Sequence, residues 1–211
     1  MTDRNPAEIM YPNQQGGSDP GAWHIELRRL PIFHRGHAFL ALVDNEGRIV
    51  RELHGLGHSK HTGEAMTMAE DGADLKVIDY KRQADDDKKT DLGPRLKGTG
   101  PISTVSTVAS GSQQQMEKIW GRGTQAGAAI DAQKFDYKSH DPAYEFGGRG
   151  GEIQNSNSVA FTLGKAMGLD LSAALQDKGM TRTFSGWDRD LLDPKYKRYV
   201  APPVFPVKDA P

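Results

Sequence analysis

The chain has no cysteine among its 211 residues. A disulfide, a thiolate metal site and a cysteine nucleophile are therefore excluded. The absence of thiols does not identify the compartment, because a cytoplasmic protein and a protein exported without a recognisable signal peptide can both lack them. We therefore expect one of these two locations.

Long apolar runs and an excess of charge are also missing. The longest apolar run, Ala38–Val43, has six residues, whereas a membrane helix needs ~20. Residues 1–21 contain no basic segment followed by an apolar one, so a secretory signal is not expected. The formal net charge of -1 creates no field that would attract nucleic acid. We expect no transmembrane segment and no nucleic-acid partner.

Apolar residues are scarce, at 36% of the chain, and glycine is abundant, with 24 residues. This composition predicts long loops around a modest core, in a length that suits one domain. Proline and glycine in residues 1–21 predict a flexible N-terminal arm. Residues 22–185 are the predicted domain. Residues 186–211, rich in proline and aromatic residues, are predicted to form an extended tail packed on that domain.

The clearest predicted element is a β-hairpin. His37–Val43 and Arg48–His54 have strand patterns, and a turn at residues 44–47 joins them. With a two-residue loop, His37 lies opposite His54. With a bulged three-residue loop, His37 lies opposite Gly55 and the two histidines point to opposite faces. The sequence leaves both registers open.

The other periodic segments complete an α+β prediction, a small antiparallel sheet packed on two or three helices. The further predicted strands are Trp23–Leu30, which Pro31 ends, Leu75–Tyr80 and Ile102–Val108. The predicted helices are Gln113 to about Phe135, with Ser110 or Ser112 as cap and a break near Gly121–Gly123, then Asn155–Met167, stopped by Gly168, and finally Ser172–Asp177, capped by Ser172.

The helix predicted over Asn155–Met167 begins with the run Asn155-Ser156-Asn157-Ser158. Asn and Ser are preferred N-caps, so capping alone explains this run. In the functional interpretation, the hydroxyl of Ser156 lies in the positive end of the helix dipole. Serine still needs a base to accept its proton. His37 is the candidate for that base, and His54 is the candidate for the group that orients it.

These segments resemble the NlpC/P60 superfamily. The run His37–Asp44, the glycine turn and the return strand ending Glu52-Leu53-His54-Gly55 are similar to its histidine hairpin. They are more similar to its circularly permuted branch, which includes the lecithin:retinol acyltransferase-like and PPPDE-type proteins, because there the histidine strand precedes the nucleophile helix. That helix begins with Asn-Cys and ends near Leu-Gly, and residues 155–168 match it with Ser156 at the cysteine position. The resemblance implies a papain-like fold in permuted order.

The resemblance also implies a hydrolase or acyltransferase, peptidase-like or amidase-like, that cleaves an amide or ester bond. Ser156 would be the nucleophile, His37 the general base and His54 the orienting group. The residues expected to shape the substrate site are Asn155, Asn157 and Glu152. Implied substrates are peptides with isopeptide bonds, peptidoglycan and lipid esters. The implied setting is a bacterial secreted effector or cell-wall-acting toxin, with an inhibitor or immunity protein as partner.

Serine in place of cysteine leaves three explanations open. The chain is a natural serine enzyme, or it has naturally lost its activity, or it carries an engineered Cys→Ser substitution. The second explanation would leave a catalytically inactive binding or structural module on the same scaffold. A Ser156 that only caps its helix, beyond hydrogen-bond reach of His37, would favour this module.

Three histidines, His54, His58 and His61, have a spacing that invites comparison with a zinc site, since catalytic zinc is often held by three histidines. The glycines among them, Gly55 and Gly57, argue against a helix that would bring the three rings to one face. We therefore predict no metal site and no cofactor.

Overall fold

The computed structural model describes residues 21–33, 35–66, 71–81, 98, 100–139, 153–176, 178–179 and 184–202. The strands within these ranges are β1 (Trp23–Ile32), β2 (Arg35–Val43), β3 (Ile49–His58), β4 (Ala65–Met66), β5 (Asp74–Lys81) and β6 (Ser103–Gly111). The helices are α1 (Gln113–Ala132), α2 (Ser156–Met167) and α3 (Leu171–Gln176). All the strand pairs are antiparallel, so the predicted α+β class is confirmed. Residues 1–20 of the predicted arm and the predicted site residue Glu152 lie outside the described ranges.

A gap along one edge of β3 positions the candidate site. β2 pairs with β3 only from Ile49 to Leu53, and β4 pairs with it at Gly57 and His58. β5 occupies the opposite edge of β3, over Arg51–His58. Residues 54–56 of β3 therefore have no strand partner on the β2 side within the described structure. We call the gap between residues 54–56 of β3 and residues 37–39 of β2 the notch.

The two faces of the sheet are packed differently. Leu40 and Leu53 point to the face that α1 and α2 cover, where Trp120 contributes to the main core. Because side chains alternate along a strand, the neighbours of these leucines point to the second face. Ala41 and Val43 lie there, in a smaller buried cluster. We call these the helix face and the second face.

The β2–β3 hairpin has neither of the predicted registers. Leu40 pairs with Leu53, and Val43 pairs with Ile49 after a bulge. Continued along the strands, this register puts His37 and His54 on the same face. The predicted register with the histidines on opposite faces was therefore wrong, and the predicted direct pairing of His37 with His54 was wrong as well.

The loop of this hairpin is longer than predicted because of one side chain. The carboxylate of Asp44 accepts the backbone N–H groups of Glu46 and Arg48, both at 2.9 Å. It also accepts a hydrogen bond from Nε of Arg48 at 2.7 Å. Such a side-chain turn satisfies the backbone without a two-residue hairpin loop. The strands consequently begin their pairing further from the turn.

Two glycines allow close packing, one just after the predicted strand end at His54 and one at the predicted break of α1. β3 continues through Gly55 to His58, and a Cβ on Gly55 would lie only 2.5 Å from Cβ of Val159 in α2. α1 runs without the predicted break, because Gly123 faces α2 and a Cβ there would collide with Met167. The break was a wrong prediction because helix propensity counts only local cost.

The remaining boundaries differ from prediction by small amounts. Ser112, one of the two predicted caps, closes a capping box at the start of α1, and Gly168 ends α2 with φ 79°. β1 continues past Pro31, where β6 no longer pairs with it, so the missing N–H breaks no bond to β6. At the start of α3, the carboxylate of Asp170 accepts the N–H of Ala173 at 2.9 Å, so Asp170 and not Ser172 is the cap.

Candidate active site

The start of α2 is a saturated hydrogen-bond network. Oδ1 of Asn155 accepts the N–H groups of Asn157 and Ser158, at 2.9 and 3.3 Å. The hydroxyl of Ser158 donates to the carbonyl of Gly186 at 2.9 Å. These bonds satisfy N–H groups that a helix start leaves without partners. The capping interpretation of this run therefore accounts for Asn155 and Ser158.

Asn157 fixes the helix start in the notch. Its Oδ1 accepts the backbone N–H of Ala38 at 2.9 Å, in the part of β2 that β3 no longer pairs. Its Nδ2 donates to the carbonyl of Ser185 at 3.0 Å, as Nδ2 of Asn155 does at 3.1 Å. The side chain next to Ser156 is thus bonded to the residue next to His37. The amides of Asn155 and Asn157, predicted to shape a substrate site, hold the backbone in place here.

The second face of the sheet carries a chain of three buried titratable side chains. Nε2 of His37 lies 3.0 Å from Nδ1 of His54, and Nε2 of His54 lies 3.2 Å from Oε2 of Glu52. The exposed fractions of His37, His54 and Glu52 are 4%, 3% and 0%. We call these three residues the relay. The structure thus brings together His37 and His54, the predicted base and its predicted orienting group, across the notch.

Aromatic rings hold the relay in place. The ring of Phe39 stacks on that of His54 with centroids 4.3 Å apart, and Tyr80 of β5 meets His54 edge-on at 5.6 Å. The rings of His37 and His54 are themselves nearly parallel, at 12°. Packing on both sides restricts the rotation of His54 and so fixes the direction of its two nitrogens.

Burial controls the charge of both histidines. Loss of water contacts lowers the pKa of His37 well below its usual value, and the neighbouring His54 lowers it further. Burial lowers the pKa of His54 to about 3. Desolvation disfavours the charged imidazolium. Both rings are therefore neutral at neutral pH, and each carries one N–H and one lone pair.

One nitrogen at the end of the relay is left over. Nδ1 of His37 makes no hydrogen bond within the described part of the chain. Nδ1 of His37 is also not sealed inside the protein, unlike Nε1 of Trp120, which is buried there without a hydrogen-bond partner among the described residues. His37 therefore ends the relay with a nitrogen that is available to another group.

Ser156 is the first residue of α2 and is 5% exposed. No hydrogen bond joins it to His37 or His54 within the described ranges. Its hydroxyl and its backbone N–H lie close enough to the phenol of Tyr137 to affect the pKa of that phenol. Burial raises the pKa of Tyr137, these two interactions oppose the rise, and the charge of Asp71 adds to it.

The relay and α2 approach the notch from opposite sides. Gly55 packs against Val159 on the helix face, so the adjacent His54 points to the second face. His37 lies on the second face with it, because Ala38 belongs to the core under the helices. The notch lacks β2–β3 backbone pairing, and Asn157 at the start of α2 bonds to the N–H of Ala38 there.

The other histidines of the predicted set take no part in the relay. Nδ1 of His58 lies 3.0 Å from the carbonyl oxygen of Gly63, and His61 is exposed in the following turn. No group of three or more His, Asp or Glu side chains in the described ranges is arranged to hold a metal ion.

Sequence reasoning missed two residues of this site. Glu52 lies two positions before His54, and residues two apart on a strand share a face, so this spacing was a signal that could have identified it. Tyr137 comes from an irregular segment after α1, and only the fold brings it to Ser156. No sequence signal marked it.

Comparisons with protein-family models, with curated proteins and with solved structures find no match to this chain. None of the helices described above is long and apolar enough to cross a membrane. The resemblance to the NlpC/P60 superfamily therefore stays a proposal that rests on the hairpin and on the helix start.

Proposed function

We propose that this protein is a hydrolase or acyltransferase that acts on an amide or ester bond, with His37 as the general base. The observation that supports this best is the relay, a buried chain of hydrogen-bonding side chains that ends in one nitrogen without a partner. A general base needs an oriented ring and an open lone pair. A fold that used these histidines only for stability would gain nothing from the open end.

Ser156 is the proposed nucleophile. As the first residue of α2, it stands where the helix dipole favours a developing negative charge. In the proposed reaction, Oγ of Ser156 attacks the carbonyl carbon while its proton passes to Nδ1 of His37. His37 then gives this proton to the departing amine or alcohol as the amide or ester bond breaks, and water or an acyl acceptor releases the acyl group from Ser156 by the same steps. The backbone N–H of Ser156 would stabilise the oxyanion, since the N–H groups of Asn157 and Ser158 are already bonded to Asn155. Hydrogen bonds between catalytic groups often tighten only when substrate is bound, which is consistent with the absence of a Ser156–His37 bond here.

The resemblance to the permuted NlpC/P60 branch supports the choice of substrates. These are peptides, peptidoglycan or lipid esters, in a bacterial effector or toxin that an immunity protein would inhibit. The protein would act in the cytoplasm or after export without a recognisable signal peptide. No cofactor is required by this chemistry.

A second candidate function is an inactive binding module. The proximity of Ser156 to Tyr137 favours it, because the hydroxyl then has a polar neighbour other than the proposed base. The capping network of Asn155 and Asn157 also favours it, since these amides are already bonded to the protein's own backbone.

A panel of four chains separates the two functions. The unmodified chain, Ser156→Cys, His37→Ala and the double variant are compared on peptidoglycan, on a ubiquitin-like isopeptide and on acyl esters. We expect activity that rises with Ser156→Cys and disappears when His37→Ala is added. Activity of the unmodified chain that needs both residues would identify a serine enzyme. If all four chains are folded and inactive, the result favours the binding module, and a search for its partner is the next experiment.

A further inference from the structure

The direction of the protons in the relay decides whether His37 can act as a base. A neutral imidazole donates from one nitrogen and accepts at the other. The 3.0 Å contact between His37 and His54 is therefore compatible with a proton on either ring. In one arrangement Nδ1 of His37 is a bare lone pair. In the other it carries a proton and accepts nothing.

The geometry points to Glu52 as the positioning residue that fixes both tautomers and leaves the lone pair on Nδ1 of His37. With Glu52 ionised, its carboxylate only accepts hydrogen bonds, and Nε2 of His54, 3.2 Å from Oε2, donates. Nδ1 of His54 is then the acceptor for Nε2–H of His37. The last nitrogen, Nδ1 of His37, is left unprotonated.

The surroundings of Glu52 shield its contact with His54 from water. Its side chain is fully buried on the second face, with Ala41 of β2 and Tyr80 of β5 as its paired neighbours. Phe39 covers the adjacent His54. Tyr80 is the titratable group that faces Glu52 from β5, and the negative charge of Glu52 helps to raise the pKa of its phenol. On β1, Glu26 pairs with Ala41 and lies one strand further away.

The purpose of this arrangement rests on the proposed function, but its existence does not. The tautomers belong to the resting protein and can be measured without a substrate. If the activity panel shows no activity but the spectrum shows the inferred tautomers, Glu52 is still a positioning residue. The protein then lacks the proposed chemistry. The opposite tautomers would refute the inference even in an active enzyme.

The test is a long-range ¹H–¹⁵N correlation spectrum of the full chain labelled on its histidines, at neutral pH. His37→Ala and His54→Gln assign the two rings. We expect both rings as Nε2–H tautomers with a bare Nδ1. A signal for His37 protonated at Nδ1, or for either ring as an imidazolium, would overturn the inference.

Two variants of Glu52 sharpen the test. Glu52→Gln can donate as well as accept, so we expect a mixture of tautomers, with a several-fold rise in the Nδ1–H form of His37. Glu52→Asp keeps a carboxylate and should restore the preference for Nε2–H. Unchanged tautomers in a folded Glu52→Gln protein would contradict the role of Glu52. If that variant does not fold, the spectrum of the unmodified chain still decides.

Discussion

Two buried polar clusters meet at the notch, and they differ in how their hydrogen bonds end. At the start of α2, the side chains of Asn155, Asn157 and Ser158 bond to backbone groups of the same protein. In the relay, the bonds run from one side chain to the next and stop at Nδ1 of His37.

This difference suits the two clusters to different roles, a structural role for the side chains at the start of α2 and the proposed chemical role for the relay. A buried polar group costs stability unless it is bonded, and the helix start meets that requirement with backbone partners. The relay meets it for every nitrogen but the last. Its terminal atom is open and oriented, which is the arrangement expected of a group that moves a proton.

The largest expected effect is on rate. His37→Ala should lower the activity of the active form by about 10²- to 10⁴-fold, because it removes the proposed general base, with the chain still folded. His24→Ala is the matched control, since His24 lies on the same face but bonds Glu26 outside the relay. Equal losses in both variants would contradict a special role for the relay.

The next effect is on stability. Asn157→Ala should lower the free energy of unfolding by about 2–4 kcal/mol, since it leaves the N–H of Ala38 without its acceptor and the carbonyl of Ser185 with one donor fewer. Denaturant titration measures this. Asn45→Ala, in the exposed hairpin loop, should change stability by less than about 0.5 kcal/mol. A small effect of Asn157→Ala would show that the helix start is not held through the notch.

Acid should weaken the fold through the relay. The pKa of His54 falls from 6.5 in the unfolded chain to about 3 in the fold. The folded protein thus resists protonation, and stability is complete above pH 6.5 and is lost as the pH falls towards 3. At pH 5, His54 should take up about one proton on unfolding. This uptake should lower the free energy of unfolding by about 2 kcal/mol relative to its value at neutral pH.

The matched variant for this acid effect is His54→Gln. This variant should lack the contribution of His54 to the pH dependence of stability. The measurement is the slope of the free energy of unfolding against pH. An unchanged slope would mean that His54 is protonated in the fold, against a neutral relay.

The smallest effect concerns the helix that supports α2. Gly121→Ala should raise the free energy of unfolding by about 0.5–1 kcal/mol, because nothing lies near its Cβ position and alanine favours helix. Gly123→Ala should be less stable than Gly121→Ala by about 1–3 kcal/mol, because it presses on Met167. Thermal unfolding of the pair gives this difference. Equal stability would mean that α1 and α2 are not closely packed.

Sequence patterns predicted the elements of the fold better than their relations. A continuous apolar run and the turn after it placed the His37 strand and its partner, and capping residues placed α1 and α2, because these signals are local. The hairpin register was not predictable, since the side chain of Asp44 sets the loop. The strand was predicted to end before Gly55 and the helix to break near Gly123. The reason for both glycines is the close approach of α2, which is not a local signal.

The candidate site was predictable only in part. The histidine pair followed from the hairpin, but its hydrogen bond required the register that the structure provides. Glu52 was within reach of the rule that strand residues two apart share a face. Tyr137, which interacts with Ser156, is brought there by tertiary structure alone.

The most direct test of the central claim uses the absence of cysteine, because Ser156→Cys gives the chain a single thiol. The rate of its alkylation is measured against pH, with and without His37→Ala. Gln113→Cys is the control, a thiol at the first position of α1. If His37 accepts the proton at position 156, the thiol should titrate below its free pKa of about 8.5, and His37→Ala should move the titration upward. A titration that is the same with and without His37 would contradict the claim that the open end of the relay acts on Ser156.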